Sequence, residues 1–400
     1  MRVFGADPLL GGDVDLTVFL IVAGKAVAVF ALLLVSVIFY IWFMRKVIAD
    51  MQNRIGPSMA GPFGMLQTLA DGMKLIFKEQ SIPDSADKPI FKLAPYLSIM
   101  PAFLAFSIIP IGGVVSIAGH KTQMQLADPP IGILFLLAMS GIGLYGVMLA
   151  GWSSGSKYPL LGAVRASAQL LSYEAAFSLA IVGVLIQSGT LSTRAIVDNQ
   201  AWSGLESITR DWYWLPAIAA FAIFLVAAVA ETNHPPFDLV EAEQELVGGF
   251  HTEYTGFRFA VFFLAEFMNV ITMSAIAVTL FLGGPSGPLI GALPDQGVVN
   301  AWLMPVFWFM AKLLVMLYGT VWIRATVPRL RYDQLMSFGW KFLIEVSFLW
   351  VMWSAVVRVG RDEGWNPWAT GSIAGAAAVA IYLVLYLCMP RQGERLEEIR

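Results

Sequence analysis

The sequence predicts an all-α polytopic membrane protein with about nine transmembrane helices and an amphipathic helix on its inner face. Three observations predict it. Of 400 residues, 58% are hydrophobic and only 13% are charged, about half the charged share of a soluble domain. Apolar runs recur at the length of about 20 residues that a bilayer demands. The basic residues fall mostly on one side of the topology those runs define. With 25 Lys+Arg and 28 Asp+Glu, the chain cannot clothe one or two soluble cores. A soluble enzyme and a nucleic-acid-binding domain are therefore excluded.

The predicted spans are 16–43, 94–116, 131–151, 166–188, 213–230, 259–282, 301–323, 342–357 and 369–388. The first run is too long, and lacks the basic start, for a cleaved signal peptide. The eighth is short, but Trp340 and Lys341 can anchor its end at the interface. Placing the N-terminus outside puts 17 of the Lys and Arg residues on the inner side and six on the outer. That asymmetry predicts a multi-pass membrane protein with its N-terminus outside, cytoplasmic main loops and a cytoplasmic C-terminus. The single cysteine, Cys388, excludes an internal disulfide, a CxxC zinc site and an all-cysteine iron–sulfur cluster. His120, His234 and His251 form no ligand motif, so no metal is expected.

Three inner segments stand out. In 44–93, the turns Arg54-Ile55-Gly56-Pro57 and Gly61-Pro62-Phe63-Gly64 precede a helical pattern. Met65, Leu66, Leu69, Met73, Ile76 and Phe77 mark its apolar side; Gln67, Asp71, Lys74 and Lys78 mark the other. This is an amphipathic helix, lying on the membrane surface or against the spans. In 231–258, six acids (Glu231, Asp238, Glu241, Glu243, Glu245 and Glu253) occur before any Lys or Arg. Pro235 and Pro236 end the preceding helix. Crowded carboxylates raise one another's pKa and can exchange protons near neutral pH; a solvated acidic loop is the alternative. Segment 324–341 is compact, basic and aromatic.

Glu174, Glu266, Lys25, Lys312 and Glu345 fall within the predicted spans. A charge at the bilayer centre costs roughly 2.5–3.5 kcal/mol, so each calls for a partner or a wet cavity. Glu174 and Glu266 lie roughly 12 Å deep at 1.5 Å per residue. Buried carboxylates with a lysine suggest a proton or ion path. Gly141-Ile142-Gly143-Leu144-Tyr145-Gly146 fits a dinucleotide fingerprint but sits within a span with no preceding strand, so it is read as helix packing. Gly371 and Gly375 are read the same way.

The inner segments resemble the quinone-site membrane subunit (the H subunit) of respiratory complex I, bacterial NADH:quinone oxidoreductase. The likeness is carried by Arg54 through Pro57 with Gly61 through Glu79, by Gln169 through Glu174, by Ala230 through Asp238 with Glu241, Glu243, Glu245, Gly249 and Phe250, and by Trp322 through Lys341. It covers about residues 18–357, which implies a family-like unit over 1–357 with eight spans. Residues 358–400 then form an extension with an extra helix.

The resemblance implies a subunit of a translocase without a redox centre of its own. Its substrate would be a quinone, ubiquinone or menaquinone, with flavin and iron–sulfur clusters held by other subunits. Implied partners are the peripheral-arm quinone-site subunits, small membrane subunits and the bilayer, with no nucleic acid. Implied chamber residues are Arg54, Asp71, Lys74, Phe237 and Asp238, with His234 standing where the family commonly carries Arg. Implied members of an acidic path are Glu174, Glu231, Glu241, Glu243 and Glu266. Arg165, Lys312, Arg324, Arg329 and Arg331 are the expected charge partners.

Overall fold

The computed structural model describes residues 7, 9, 15–204, 206–240, 247–288 and 299–388. About 71% of the described residues are helical. Among the described residues, seven helical stretches are long and apolar enough to cross a membrane, and two shorter apolar helices accompany them.

Helix α1 (Leu16–Met51) is followed by the short α2 (Gln67–Phe77). Then come α3 (Lys88–Phe106), a two-stranded antiparallel hairpin of β1 (Val114–Ile117) and β2 (His120–Gln123), α4 (Gly132–Ser153) and α5 (Lys157–Ser188). Small helices α6 (Thr193–Asp198) and α7 (Ser207–Arg210) precede α8 (Ile218–Glu231) and α9 (Gly256–Phe281). The chain closes with α10 (Met304–Thr326), α11 (Tyr332–Phe338), α12 (Ile344–Asp362) and α13 (Pro367–Cys388). Because the long helices alternate in direction, α2 and the segments 232–240, 247–255 and 327–338 gather at one end of the bundle, here the motif end. The hairpin and the segments 189–204, 206–217, 282–288 and 299–303 gather at the far end.

Each expected span contains a helix, but several boundaries move. In place of a second span over 94–116, α3 starts at Lys88 and stops at Phe106. Pro110 and the Gly112-Gly113 pair break the helix, and the β-branched stretch after them forms β1. The short eighth run is part of a continuous helical stretch, Tyr332–Asp362. A π-helical turn, Gly339–Leu343, joins α11 to α12, so much of the basic, aromatic segment is itself helical.

Burial ranks the helices. Every residue of α9 from Val270 to Phe281 is buried, so α9 is the axis of the bundle. In α1 only seven of 36 residues are buried, as expected of a helix with its back to lipid. Lipid tails are as apolar as leucine, so close backbone approach through small residues does much of the work of association. A Cβ on Gly146 would collide with Ser98 and with the Ala94 carbonyl oxygen, so this glycine lets α4 close on α3. A Cβ on Gly162 would lie 2.8 Å from the Phe250 backbone nitrogen, where the 249–251 turn crosses α5. Helix α13 packs against α12, where Trp353 Nε1 donates to the Gly371 carbonyl at 3.0 Å.

Candidate functional site

Helix α8 ends at Glu231, and the chain turns through Thr232 to Asp238 because the proline pair cannot continue the helix. The bond between Pro235 and Pro236 is cis. Gln169 of α5 holds this turn from below. Its buried Nε2 reaches the carbonyls of Ala230 and Phe237, both at 2.9 Å, and Asn233 Oδ1 at 3.3 Å. The Phe237 ring lies 5.7 Å from that of Tyr173. Leu330 N donates to the Pro236 carbonyl at 3.3 Å, so the 327–331 stretch lies along the turn. Arg329 then meets Asp238 at 3.0 Å.

The motif of the fourth span has a second task. Tyr173 Oη donates to the Leu335 carbonyl at 3.0 Å, and Trp340 Nε1 donates to Ser172 Oγ at 3.0 Å. Side chains of α5 therefore pin both the 230–238 turn and the α11 segment. Three of the four motifs recognised in the sequence converge on one place.

Behind the turn lies a cavity of about 80 Å³ between α3, α4, α5, α8 and α9. Its polar lining includes Ser140, Glu231, Asn233, Glu266, Asn269 and Thr272. That volume and that lining suit ordered water. Glu231 is buried and accepts a hydrogen bond from Ser140 Oγ through Oε1, while Oε2 has no partner among the described residues. Glu174 of α5 is within electrostatic reach of Glu231. Glu266 faces His234, with Oε1 3.2 Å from Nδ1. Of the acids expected within spans, Glu266 lines this space beside Glu231 and Glu174 lies within reach of Glu231, whereas Glu345 sits in the first turn of α12 and is not part of the lining.

The amphipathic helix α2 forms, and its Asp71 is bound by Arg45 of α1 at 2.8 Å and by Gln67 at 3.2 Å. Partial burial pushes the Asp71 carboxyl up, but the bonds from Arg45 and Gln67 and the nearby charge of Lys74 outweigh it, holding the carboxyl below its ordinary value. Lys74 is exposed. Arg54 is exposed and bonds to Gln52 at 2.7 Å. Arg165 stacks over Tyr332 at 5.8 Å, Arg324 donates to Met44 Sδ at 3.4 Å, and Arg331 meets Asp333 at 3.5 Å in an exposed, local pair. Glu241 and Glu243 lie outside the described residues.

Lys312 departs from expectation. Rather than serving a buried acid, its ammonium donates at the far end to the carbonyls of Leu282, Gly284 and Ser286 at 2.6, 3.0 and 2.6 Å. It also sits 4.0 Å from the Trp212 ring centroid. The loop after α9 folds back and offers carbonyl dipoles, which a linear sequence does not reveal. A cavity of about 550 Å³ also lies at the far end, between α1, the hairpin and α10. It is mainly apolar, its lysine Lys25 is paired with Asp7 at 2.8 Å, and it holds none of the motif residues.

Sequence reasoning misses several members of the site. Arg45 counts there only as an inner-side charge, and Ser140 and Asn269 do not stand out. The available signal is a polar side chain in the middle of an apolar span. Among the described residues, no group of three or more His, Cys, Asp or Glu is placed to hold a metal ion.

Comparison with known proteins decides the family. The family model described as NADH dehydrogenase matches residues 24–355. A protein of Frankia alni is 50% identical over 395 residues, covering 98% of this chain and 84% of that relative. One of Frankia casuarinae is 51% identical over 398 residues, covering 98% and 85%. Both are named as the H subunit of NADH-quinone oxidoreductase. The chain belongs to this H-subunit family. For this family member, the matched region ends within α12 and leaves α13 outside it. The convergent motifs and the polar cavity all fall inside the matched region.

Proposed function

We propose that this chain is the membrane subunit of a proton-pumping NADH:quinone oxidoreductase. In this reading it forms much of the quinone-access chamber and links quinone reduction to proton translocation through buried carboxylates. The observation that carries the reading is the polar cavity holding Glu231 and Glu266 directly behind the 232–238 turn. A quinone tail needs an apolar passage with a few polar groups at its end. The chamber residues on this reading are Arg54, Asp71, Lys74, His234, Phe237 and Asp238, with the motif end facing the cytoplasm and the peripheral arm.

Reduction of a quinone to a quinol takes up two electrons and two protons. The electrons come from redox centres in partner subunits. This chain's own residues exclude bulk water, orient the head group and respond to the change in charge. Glu231 and Glu266 respond by exchanging protons with water in the cavity, and Glu174, Glu241 and Glu243 extend the path. A change of protonation at one end shifts the affinity of the next group for a proton, which is how charge at the chamber is felt deeper in the membrane.

Photoaffinity labelling of the intact membrane complex with a quinone-site inhibitor tests the chamber. The label is expected within 54–78 or 231–238, and labelling confined to the far-end cavity would contradict the reading. Glu241→Gln is expected to lower coupled turnover with assembly intact, and unaltered NADH:quinone activity would count against its place in the path.

A further inference from the structure

One face of α4 lines the polar cavity. Leu136, Met139, Ser140, Gly143, Leu144 and Val147 recur there at helical spacing. All but Gly143 carry a side chain. A Cβ built on Gly143 would meet no described heavy atom within 4 Å. The neighbouring glycines differ. Gly146 is required by packing, as its collision with Ser98 shows, and a Cβ on Gly141 would make ordinary contact with Glu174 Oε1 at 3.7 Å. Gly143 lies inside a regular helix and is not among the glycines with positive φ. Neither packing nor backbone geometry calls for glycine here, and glycine weakens a helix relative to alanine. What its missing side chain leaves is the cavity itself.

We infer that Gly143 is a positioning residue that keeps open the water space between Glu231 and Glu266. This rests on the proton-path reading above. Glu231 of α8 and Glu266 of α9 both line the space, together with Asn233, Asn269 and Thr272. A water needs about 10–15 Å³ of such room, so about 80 Å³ holds several. A proton leaves the carboxyl of one acid for the adjoining water while the last water gives one to the carboxylate of the other. The number of waters is unchanged, and each resets by turning in place.

That transfer needs an unbroken column. A side chain on a helix leans toward the preceding turn. A larger residue at 143 would therefore cover Ser140, whose hydroxyl donates to Glu231 Oε1. It would displace water from the place where Glu231 is held, without touching either acid in sequence.

The test uses the intact complex in native membranes carrying Gly143→Ala, Gly143→Val or Gly143→Leu. NADH:quinone turnover, proton pumping and melting temperature are measured on each. Coupled turnover is expected to fall with side-chain size, by about twofold or less in Gly143→Ala and about tenfold or more in Gly143→Leu, the scale of a lost proton-transfer route. The melting temperature is expected to hold or rise, because removing a helical glycine and filling open space are stabilising changes. A packing glycine gives the opposite pattern, with stability and turnover falling together. That pattern would overturn the inference. So would failure of Gly143→Val and Gly143→Leu to assemble, since open space tolerates both, or wild-type turnover and pumping in an assembled Gly143→Leu complex. Glu231→Gln and Glu266→Gln, run alongside, tell the two failures apart. If either lowers coupled turnover while Gly143→Leu does not, the role of Gly143 alone falls. If both are without effect, the path reading falls with it.

Discussion

Two buried charges in this bundle are treated in opposite ways. At the far end, Lys312 has three donors and three carbonyl acceptors within 3.0 Å, plus the face of Trp212. All three of its donors are engaged. Toward the motif end, Glu231, in the wall of a polar cavity, has one carboxylate oxygen bonded by Ser140 and one without a partner among the described residues, and buried His234 has one nitrogen engaged and one without a partner among the described residues. Both arrangements place an ionisable group within apolar helices, where its insertion is costly. The difference teaches that burial of a charge is weak evidence for function. A charge saturated by fixed dipoles holds structure together, whereas an incompletely satisfied one next to a polar cavity is placed to change its protonation.

The largest expected effect comes from breaking the second arrangement. Glu231→Gln keeps the shape and the Ser140 contact but removes the exchangeable proton. Coupled turnover is expected to fall about tenfold or more, with normal assembly on native gels. Lys312→Met is the counterpart at the far end. It orphans three buried carbonyls, so the complex is expected to lose about 2–3 kcal/mol of stability, seen as a lower melting temperature. Turnover per assembled complex should hold. If Lys312→Met stops turnover without lowering the melting temperature, the contrast between the two regions collapses.

Gln169→Leu sharpens the comparison further. It frees the Ala230 and Phe237 carbonyls, and the expected cost is about 1–3 kcal/mol, with a raised apparent KM for quinone as the turn loosens. An unchanged KM would remove Gln169 from its positioning role. The smallest effect is expected at Asp71. Its folded-state carboxyl lies below the ordinary value of 3.8, so the link to Arg45 is in place at neutral pH and is lost as pH falls through the folded value. Protection factors of the α2 amides, which remove the intrinsic pH dependence of exchange, should therefore be flat between about pH 5 and 8 and fall below about pH 4. Asp71→Asn should lower them by only about threefold or less, as for other half-exposed pairs.

Much of the fold is legible because bilayer physics writes it into composition. Each of the nine apolar runs contains a helix, since hydrophobic length is a local property. What escapes is local backbone chemistry that tertiary context decides. Pro110 and the glycines after it convert the end of an expected span into β1, and the π-helical turn at 339–343 fuses a loop to a short span. At the site, the acids and the turn are visible as residues out of place in their surroundings. Their neighbours are not, because Ser140 and Asn269 look ordinary in sequence and gain meaning only when α4 and α9 face each other. The partners of Lys312 stay hidden for a related reason: backbone carbonyls carry no sequence signature.

The central claim is that the acids around the polar cavity change protonation when quinone is reduced. Infrared difference spectroscopy of the intact complex, oxidised against quinol-reduced, reads that directly in the carbonyl stretch of protonated carboxyl groups. The account predicts a reduction-induced carboxyl band that is lost or shifted in Glu231→Gln or Glu266→Gln. A difference spectrum with no carboxyl band, or one unaltered in both variants, would contradict it.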